Sequence, residues 1–521
     1  MGTFLPTPAA PGETALVRSV YERAGANLLW SVRGRTSAQA DEFERALHTV
    51  EARGLLAADY LVDLIDAAGE RLGSQGTAED SERFDALVTR AAVRLVWHLH
   101  YGRIDPHAAG FELAAARTDL DVAATVVGLA SARNVADALL AVEPRFSHYA
   151  LLKDALSRYR SLGADLSLTQ LPGIGKRRIR VGEPYNGATA LRRLLVAEGD
   201  LGENDSEGAA GVTTLDAALS AALGRFQDRH GLSPDGALGA ATLAALTTPI
   251  ASRVRQIELT LERWRWLPEF YAPPIIVNIP EFRLFAFSTT SDRVASILQM
   301  PVIVGQAYVA KRTPVFVGEL KYVVFRPYWD VPRSIMVREL LPAIRSDANY
   351  LERHHFEIVE GAGDDANVVE ATPEALTALA AGRLRLRQQP GDENALGLIK
   401  FLFPNSHNVY MHSTPAHQLF LASRRAFSHG CIRVSDPVAL ATYVLRNAPG
   451  GWDSRQIDEA MHASNPIRVE LHEPIHVMIL YGTAMATEAG PVQFFEDIYG
   501  HDRKLEALLG LRPVNSSGRT R

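Results

Sequence analysis

The hydrophobic period of this chain changes at Pro273-Pro274, and that change constrains the fold more than any other feature. Upstream, apolar residues recur at helical spacing. Leu56, Tyr60, Leu61, Leu64 and Ala68 share one helical face, and Val254, Ile257, Leu261 and Trp264 mark another. Downstream, the runs at 275–279, 283–287, 302–304 and 322–325 are short, β-rich and bounded by Pro, Gly, Ser and Asp. A charged, Ala/Leu-rich stretch from about 336 to 385 interrupts them and is expected to form a helical lid or subdomain. Helices gathered upstream and strands downstream predict a multidomain α+β protein. At about 100–200 residues per domain, 521 residues imply three or four folded units. We expect a helical scaffold over 15–170, a small helical unit over 188–248 and a β-rich domain over 273–485. The insertion is expected over about 336–397, and a C-terminal extension and tail over 486–521.

Composition removes several classes of function. With 47% hydrophobic and 22% charged residues the chain is ordinarily globular. A net charge of −6 with mixed signs offers no basic footprint for nucleic acid. No run of about 18 apolar residues is present to span a membrane. Residues 1–8 lack the basic segment and apolar core of a secretory signal, so on this evidence the protein is cytoplasmic or the numbering starts at a processed or truncated point. The single cysteine, Cys431, excludes a disulfide framework and a cysteine-based zinc cluster.

The residues that carry chemistry crowd into two short segments, Tyr410-Met411-His412-Ser413 and Ser428-His429-Gly430-Cys431-Ile432-Arg433. A thiol attacks as thiolate, and a nearby imidazole can take its proton. His412 lies 19 residues before Cys431, far enough to return on a neighbouring strand or loop. Ser413 is placed to orient that base. Gly430 lets the backbone approach closely, so amides there could meet a developing oxyanion. From the residues alone, Cys431 reads equally as a nucleophile or a small buried hydrophobe. Trp329 and Tyr410 either wall a cleft or pack at strand ends.

His412 followed by Ser428-His429-Gly430-Cys431 resembles the signature of the L,D-transpeptidases with a YkuD-type catalytic domain. Many members carry Asn two places after the cysteine. Arg433 stands there in this chain, as it often does in the large periplasmic subgroup with a Ser-His-Gly-Cys-Ile-Arg run. Thr313-Pro314, the run 328–332 and Pro390-Gly391 before the run 394–397 support the match. Within 188–247, Phe226-Gln227, Gly231-Leu232, Asp235-Gly236 and Thr242 resemble the peptidoglycan-binding domain, although a three-helix unit without a ligand would show the same pattern.

The resemblance implies Cys431 as nucleophile, His412 as general base and Ser413 beside it, with His429 and Gly430 forming the oxyanion turn. Arg433, Tyr410, Trp329 and Ser428 are then expected to touch substrate. It further implies thioester chemistry on peptidoglycan stem peptides, releasing a terminal D-alanine and forming 3→3 cross-links. No metal or organic cofactor is required. The expected partners are stem peptides and glycan, with penicillin-binding proteins or other wall synthases, and carbapenems are expected to acylate Cys431. The expected location is the periplasm, with the signal segment absent from this numbering. A carboxypeptidase or amidase using water as acceptor, and a catalytically silent wall-binding scaffold, remain the alternatives.

Two other patterns carry less. His472-Glu473-Pro474-Ile475-His476 satisfies the zinc-protease string, but Pro474 and the alternation around it predict a strand, in which the two histidines would stand about 13 Å apart. Gly173-Ile174-Gly175-Lys176 is followed by Arg177 instead of the Ser or Thr of a phosphate loop, and is read as a basic turn.

Overall fold

The computed structural model describes residues 12–113, 119–206, 213–269, 272–289, 297–363, 365–488 and 490–512. The end of the polar tail expected beyond 512 and part of the acidic loop between 199 and 211 lie outside them. The described residues form two compact units, one of 12–269 with 481–512, the other of 272–289 with 297–480. Among the described residues no helix is long and apolar enough to cross a membrane.

The first unit is helical. Its spine is Ala78–Tyr101, opened by a capping box in which Thr77 and Asp80 satisfy each other's backbone N–H groups. Phe84, Val88, Ala92, Leu95 and Leu99 recur along one stripe of that helix and are fully buried. Asp85 lies inside this core, accepting hydrogen bonds from Trp30 N (2.6 Å), Leu29 N (2.7 Å) and Tyr21 Oη (2.8 Å). Those three donors offset part of the cost of burying the carboxylate, whose pKa burial still raises.

Helices Ala188–Glu198, Ala217–Arg229 and Ala240–Leu246 make up the small unit expected from the sequence, and its motif residues turn inward. Buried Gln227 donates to Ala237 O (2.9 Å) and Thr242 Oγ1 (3.0 Å) and accepts from Gly236 N (2.8 Å). The Phe-Gln, Asp-Gly and Thr positions that carry the resemblance therefore staple a turn. Residues 481–512 pack on the next helix, Ile250–Trp264: Gln256 Nε2 donates to Phe495 O (3.0 Å), and Arg263 pairs with Asp502 (2.6 Å). The β-rich unit ends at Leu480.

The second unit begins with strands β1 (Ile275–Asn278), β2 (Arg283–Ala286), β3 (Leu298–Gly305) and β4 (Phe316–Phe325). An insertion follows, holding β5 (Trp329–Asp330), β6 (Phe356–Glu360), β7 (Asn367–Val369) and β8 (Arg385–Gln388). The chain then returns through β9 (Ile399–Leu402), β10 (Met411–His412), β11 (Ala426–Ser428), β12 (Ile432–Val434) and β13 (Ile467–Leu480). The main sheet has the order β11-β3-β12-β10-β9-β4-β13-β1-β2, and β2 pairs back onto β3. Eight strands thus close a ring, which removes the exposed edges of an open sheet. Alternation fills it: Val302 and Val304, Val323 and Phe325, Ile399 and Phe401, Ile432 and Val434, and Val477 and Ile479 are all fully buried.

The insertion differs from the helical segment expected. It carries a four-stranded antiparallel sheet, β5-β8-β6-β7, beside helices Leu341–Ser346 and Pro373–Ala381. Met336, Leu341, Ile344, Ile358, Leu379 and Leu386 form its own core. The strands escaped the sequence reading because they are short and interleave Glu and Arg with their apolar residues, as in Phe356-Glu357-Ile358 and Arg385-Leu386-Arg387.

Candidate active site

His412 and Cys431 come together because β10 and β12 lie side by side in parallel. The register pairs Met411 with Ile432 and His412 with Arg433, and Ile432 N donates to Tyr410 O across it (3.0 Å). Cys431 is the residue just before β12, half-buried at the strand's start. On its other side β10 pairs with β9, where Lys400 stands opposite His412. Residues directly opposite share a face, so Lys400, His412 and Arg433 form one row across three strands.

His412 is buried, and its Nδ1 donates to the Ser413 carbonyl (2.5 Å), which leaves Nε2 as the basic atom of the neutral ring. Burial, with the positive charge of Arg433 next, pulls its pKa down to about 3. His412 is therefore a neutral imidazole at any physiological pH. Ser413 orients it through the backbone. The Ser413 hydroxyl is occupied elsewhere, accepting from Leu398 N (2.7 Å) and Ile399 N (3.1 Å) and donating to Leu396 O (3.1 Å). Gly397, at φ +60°, lies against that serine, where a Cβ would collide with it.

Burial pushes the Cys431 thiol above its ordinary value, against hydrogen bonds from the Tyr410 backbone and hydroxyl and the charges of Lys400 and Arg433. The Tyr410 hydroxyl also accepts from Trp329, the first residue of β5, so the insertion reaches the thiol through a Trp329–Tyr410–Cys431 chain. Lys400 lies 4.2 Å from the Tyr410 ring centroid and braces that ring from β9. At rest Sγ faces the Asn408 carbonyl (3.7 Å), and the thiol and the His412 imidazole are both neutral.

The turn before Cys431 is fixed from within. Ser428 Oγ donates to Cys431 O (2.5 Å) and accepts Gly430 N (3.1 Å). Thr313 Oγ1 donates to Gly430 O (2.8 Å) and accepts Gly305 N (2.9 Å). Gly430 has φ +125°, a conformation that strains any side-chain-bearing residue. The Gly430 amide is consumed by Ser428, whereas the Cys431 N–H has no acceptor among the described residues. Ser428 therefore shapes the turn from a buried position. The His429 ring points away from it, to Glu339 of the insertion (2.7 Å) and Lys311 (2.8 Å). Lys400, Lys311 and Glu339 had no signal in the sequence, because strand pairing and the insertion's path bring them here.

The zinc-protease string lies on β13, in strand conformation with an irregularity between Glu470 and Ile475. Among the described residues no group of three His, Cys, Asp or Glu side chains is arranged to hold a metal ion.

The closed barrel presents a cysteine turn at the start of β12 and a buried histidine on the neighbouring strand β10. Residues 273–455 match the family model of the YkuD L,D-transpeptidase catalytic domain, 15–156 that of a scaffold domain, and 186–246 that described as "Putative peptidoglycan binding domain". The chain thus matches the catalytic-domain model over the stretch that holds both His412 and Cys431. It is similar to a "Putative L,D-transpeptidase" of Haemophilus influenzae, 31% identical over 259 residues, which is 50% of each chain. The matched stretch thus spans about half the length of that curated relative.

Proposed function

We propose that this protein is a cysteine-dependent L,D-transpeptidase that joins peptidoglycan stem peptides by 3→3 cross-links. The observation that carries the reading is the parallel register of β10 and β12, which sets Cys431 at the start of one strand and the buried, uncharged His412 two positions further along the other, with an unpaired amide at the cysteine turn. Sγ attacks the carbonyl between residues three and four of a tetrapeptide stem while its proton passes to His412 Nε2. The carbonyl oxygen becomes an oxyanion, held by the Cys431 N–H. When the tetrahedral intermediate collapses, the C–N bond breaks and the departing D-alanine amine takes the proton from His412. A thioester is left on Cys431. The side-chain amine of diaminopimelate on a second stem attacks it, losing a proton to His412, and the thiol leaves reprotonated.

No step in this sequence calls on a metal or organic cofactor. The substrate lies outside the cytoplasmic membrane, so the proposal places the protein in the periplasm, alongside penicillin-binding proteins or other wall synthases. Incubation with a diaminopimelate-containing disaccharide tetrapeptide, followed by mass spectrometry, tests the reading with Cys431→Ala alongside. A cross-linked dimer lacking one D-alanine, absent in the variant, is expected. Tripeptide alone would make the enzyme a carboxypeptidase. No Cys431-dependent product would leave a silent site.

A further inference from the structure

Like charges opposite one another on neighbouring strands are destabilising, and charged groups are seldom buried without a counterion. The row Lys400–His412–Arg433 places a cation on each side of the imidazole, in register across β9, β10 and β12. Arg433 is half-buried, and its Nε is buried with no hydrogen-bond partner. Burial disfavours its charge, and the only neighbour found to favour that charge is the Cys431 thiol itself. No carboxylate among the described residues pairs with it. A half-buried guanidinium with an unpaired Nε near the nucleophile is an anion receptor awaiting its ligand.

Resting on the transpeptidase reading, we propose that Arg433, backed by Lys400, binds the terminal carboxylate of the donor's fourth residue and so restricts the donor to stems that end there. The attacked carbonyl carbon and that carboxyl carbon are separated by one nitrogen and one Cα, so about 3–4 Å divides them. A cation that acts on Sγ therefore lies within reach of this carboxylate while the carbonyl sits at Sγ. A stem with a further residue has a neutral amide at the same place. It offers the guanidinium no charge and leaves the buried Nε unpaired. The carboxylate also leaves with the D-alanine, so the receptor is emptied once the thioester forms and exerts no hold on the acceptor step.

The test measures kcat/KM for Cys431 acylation with three donors: the tetrapeptide, the same peptide ending in a carboxamide, and a tetrapeptide whose third-residue carboxyl is amidated. Wild type is expected to prefer the free terminus over the carboxamide by roughly 10- to 100-fold, a charge-assisted hydrogen bond's worth. Arg433→Gln should reduce that preference to within about threefold, chiefly by raising KM for the free acid, while the amide donor loses only the smaller factor by which alkylation of the thiol also slows. The rate of Cys431 alkylation by iodoacetamide, measured on the same variant, shows whether the thiol itself has been altered. Equal turnover of acid and amide by wild type would overturn the inference. So would an equal loss on both donors with slowed alkylation, which would make Arg433 a thiolate stabiliser only. Sensitivity confined to the third-residue amide would move the receptor to that other carboxylate and overturn the assignment. Failure of the transpeptidase reading looks different: no Cys431-dependent acylation by any donor.

Discussion

Glu339 Oε1 lies 2.7 Å from His429 Nε2, joining the insertion to the residue two places before the nucleophile. Glu339 sits in a single π turn, Met336–Leu340, a distortion often found at functional sites. Lys311 reaches the same carboxylate at 3.1 Å, and the His429 contact, followed by Lys311, holds the Glu339 pKa below the usual carboxylate range. The three groups are partly exposed, so the clasp is worth only about 0.5–1 kcal/mol. Glu339→Gln should leave global stability nearly unchanged while loosening the insertion near Cys431. The expected result is a roughly two- to fivefold rise in tripeptide relative to cross-linked dimer, as water reaches the thioester more often. An unchanged product ratio would show that the clasp does not guard the thioester.

The neutral state of the Cys431–His412 pair has a direct kinetic signature. In a thiolate–imidazolium pair, alkylation by iodoacetamide would already plateau by neutral pH. Here His412 titrates at about 3, and burial holds the thiol above its ordinary value of 9.0. The alkylation rate should therefore keep rising through pH 9, with no inflection between pH 5 and 8. A plateau at pH 7 would mean that the pair is charged at rest. The same depression of the His412 pKa bears on stability. The unfolded chain protonates this histidine near 6.5 and the folded one near 3, so its contribution is complete above about pH 6.5 and declines as pH falls. Thermal unfolding between pH 7 and pH 4.5 should show a smaller loss of Tm in His412→Gln than in wild type.

What the sequence made legible was local. Ser428-His429-Gly430-Cys431 and His412 marked the site because each residue type has few uses in that order. The strand runs were readable because Val, Ile and Phe alternate with polar residues. The roles inside the site were less legible, since they depend on which atom faces which. Ser413 works through its carbonyl, Ser428 through a hydroxyl spent on its own turn, and His429 through a partner on the insertion 90 residues away. Lys400 was invisible because it becomes a neighbour of His412 only through the β9–β10 pairing. The insertion's sheet was missed for a related reason: strands of two to five residues with charges at alternate places have no period long enough to read.

In the small unit near residue 227 the motif and the scaffold are the same residues, which separates fold from ligand binding. Gln227→Leu keeps the volume but strands the Gly236 N–H and removes both donors to Ala237 and Thr242. A buried group left unpaired costs ~1–3 kcal/mol. Denaturant unfolding should show a loss of about that size, while the kcat/KM of the catalytic domain for a soluble tetrapeptide should be unaffected. An unchanged unfolding midpoint would mean that these bonds are not holding the turn, and the amide would then be free for a ligand role.

Tyr410 is the side chain that meets the thiol directly, and its hydroxyl is the element to remove. Burial, then the Cys431 charge, raises the Tyr410 pKa well above 10, so the phenol stays protonated and able to donate to Sγ. Tyr410→Phe retains the ring beneath Lys400 but removes the hydroxyl that links Trp329 to Cys431. A hydrogen bond to a developing thiolate is worth about 1.5–3 kcal/mol, so kcat/KM should fall roughly 10- to 100-fold. The alkylation profile of Cys431 should move further to alkaline pH. Acylation by a carbapenem reads the same property without a peptide substrate. Intact-protein mass should gain one carbapenem on wild type, gain it more slowly on Tyr410→Phe, and stay unmodified on Cys431→Ala. Equal acylation rates for wild type and Tyr410→Phe would show that the hydroxyl contributes nothing to thiolate formation, leaving the Tyr410 backbone amide, Lys400 and Arg433 to carry it.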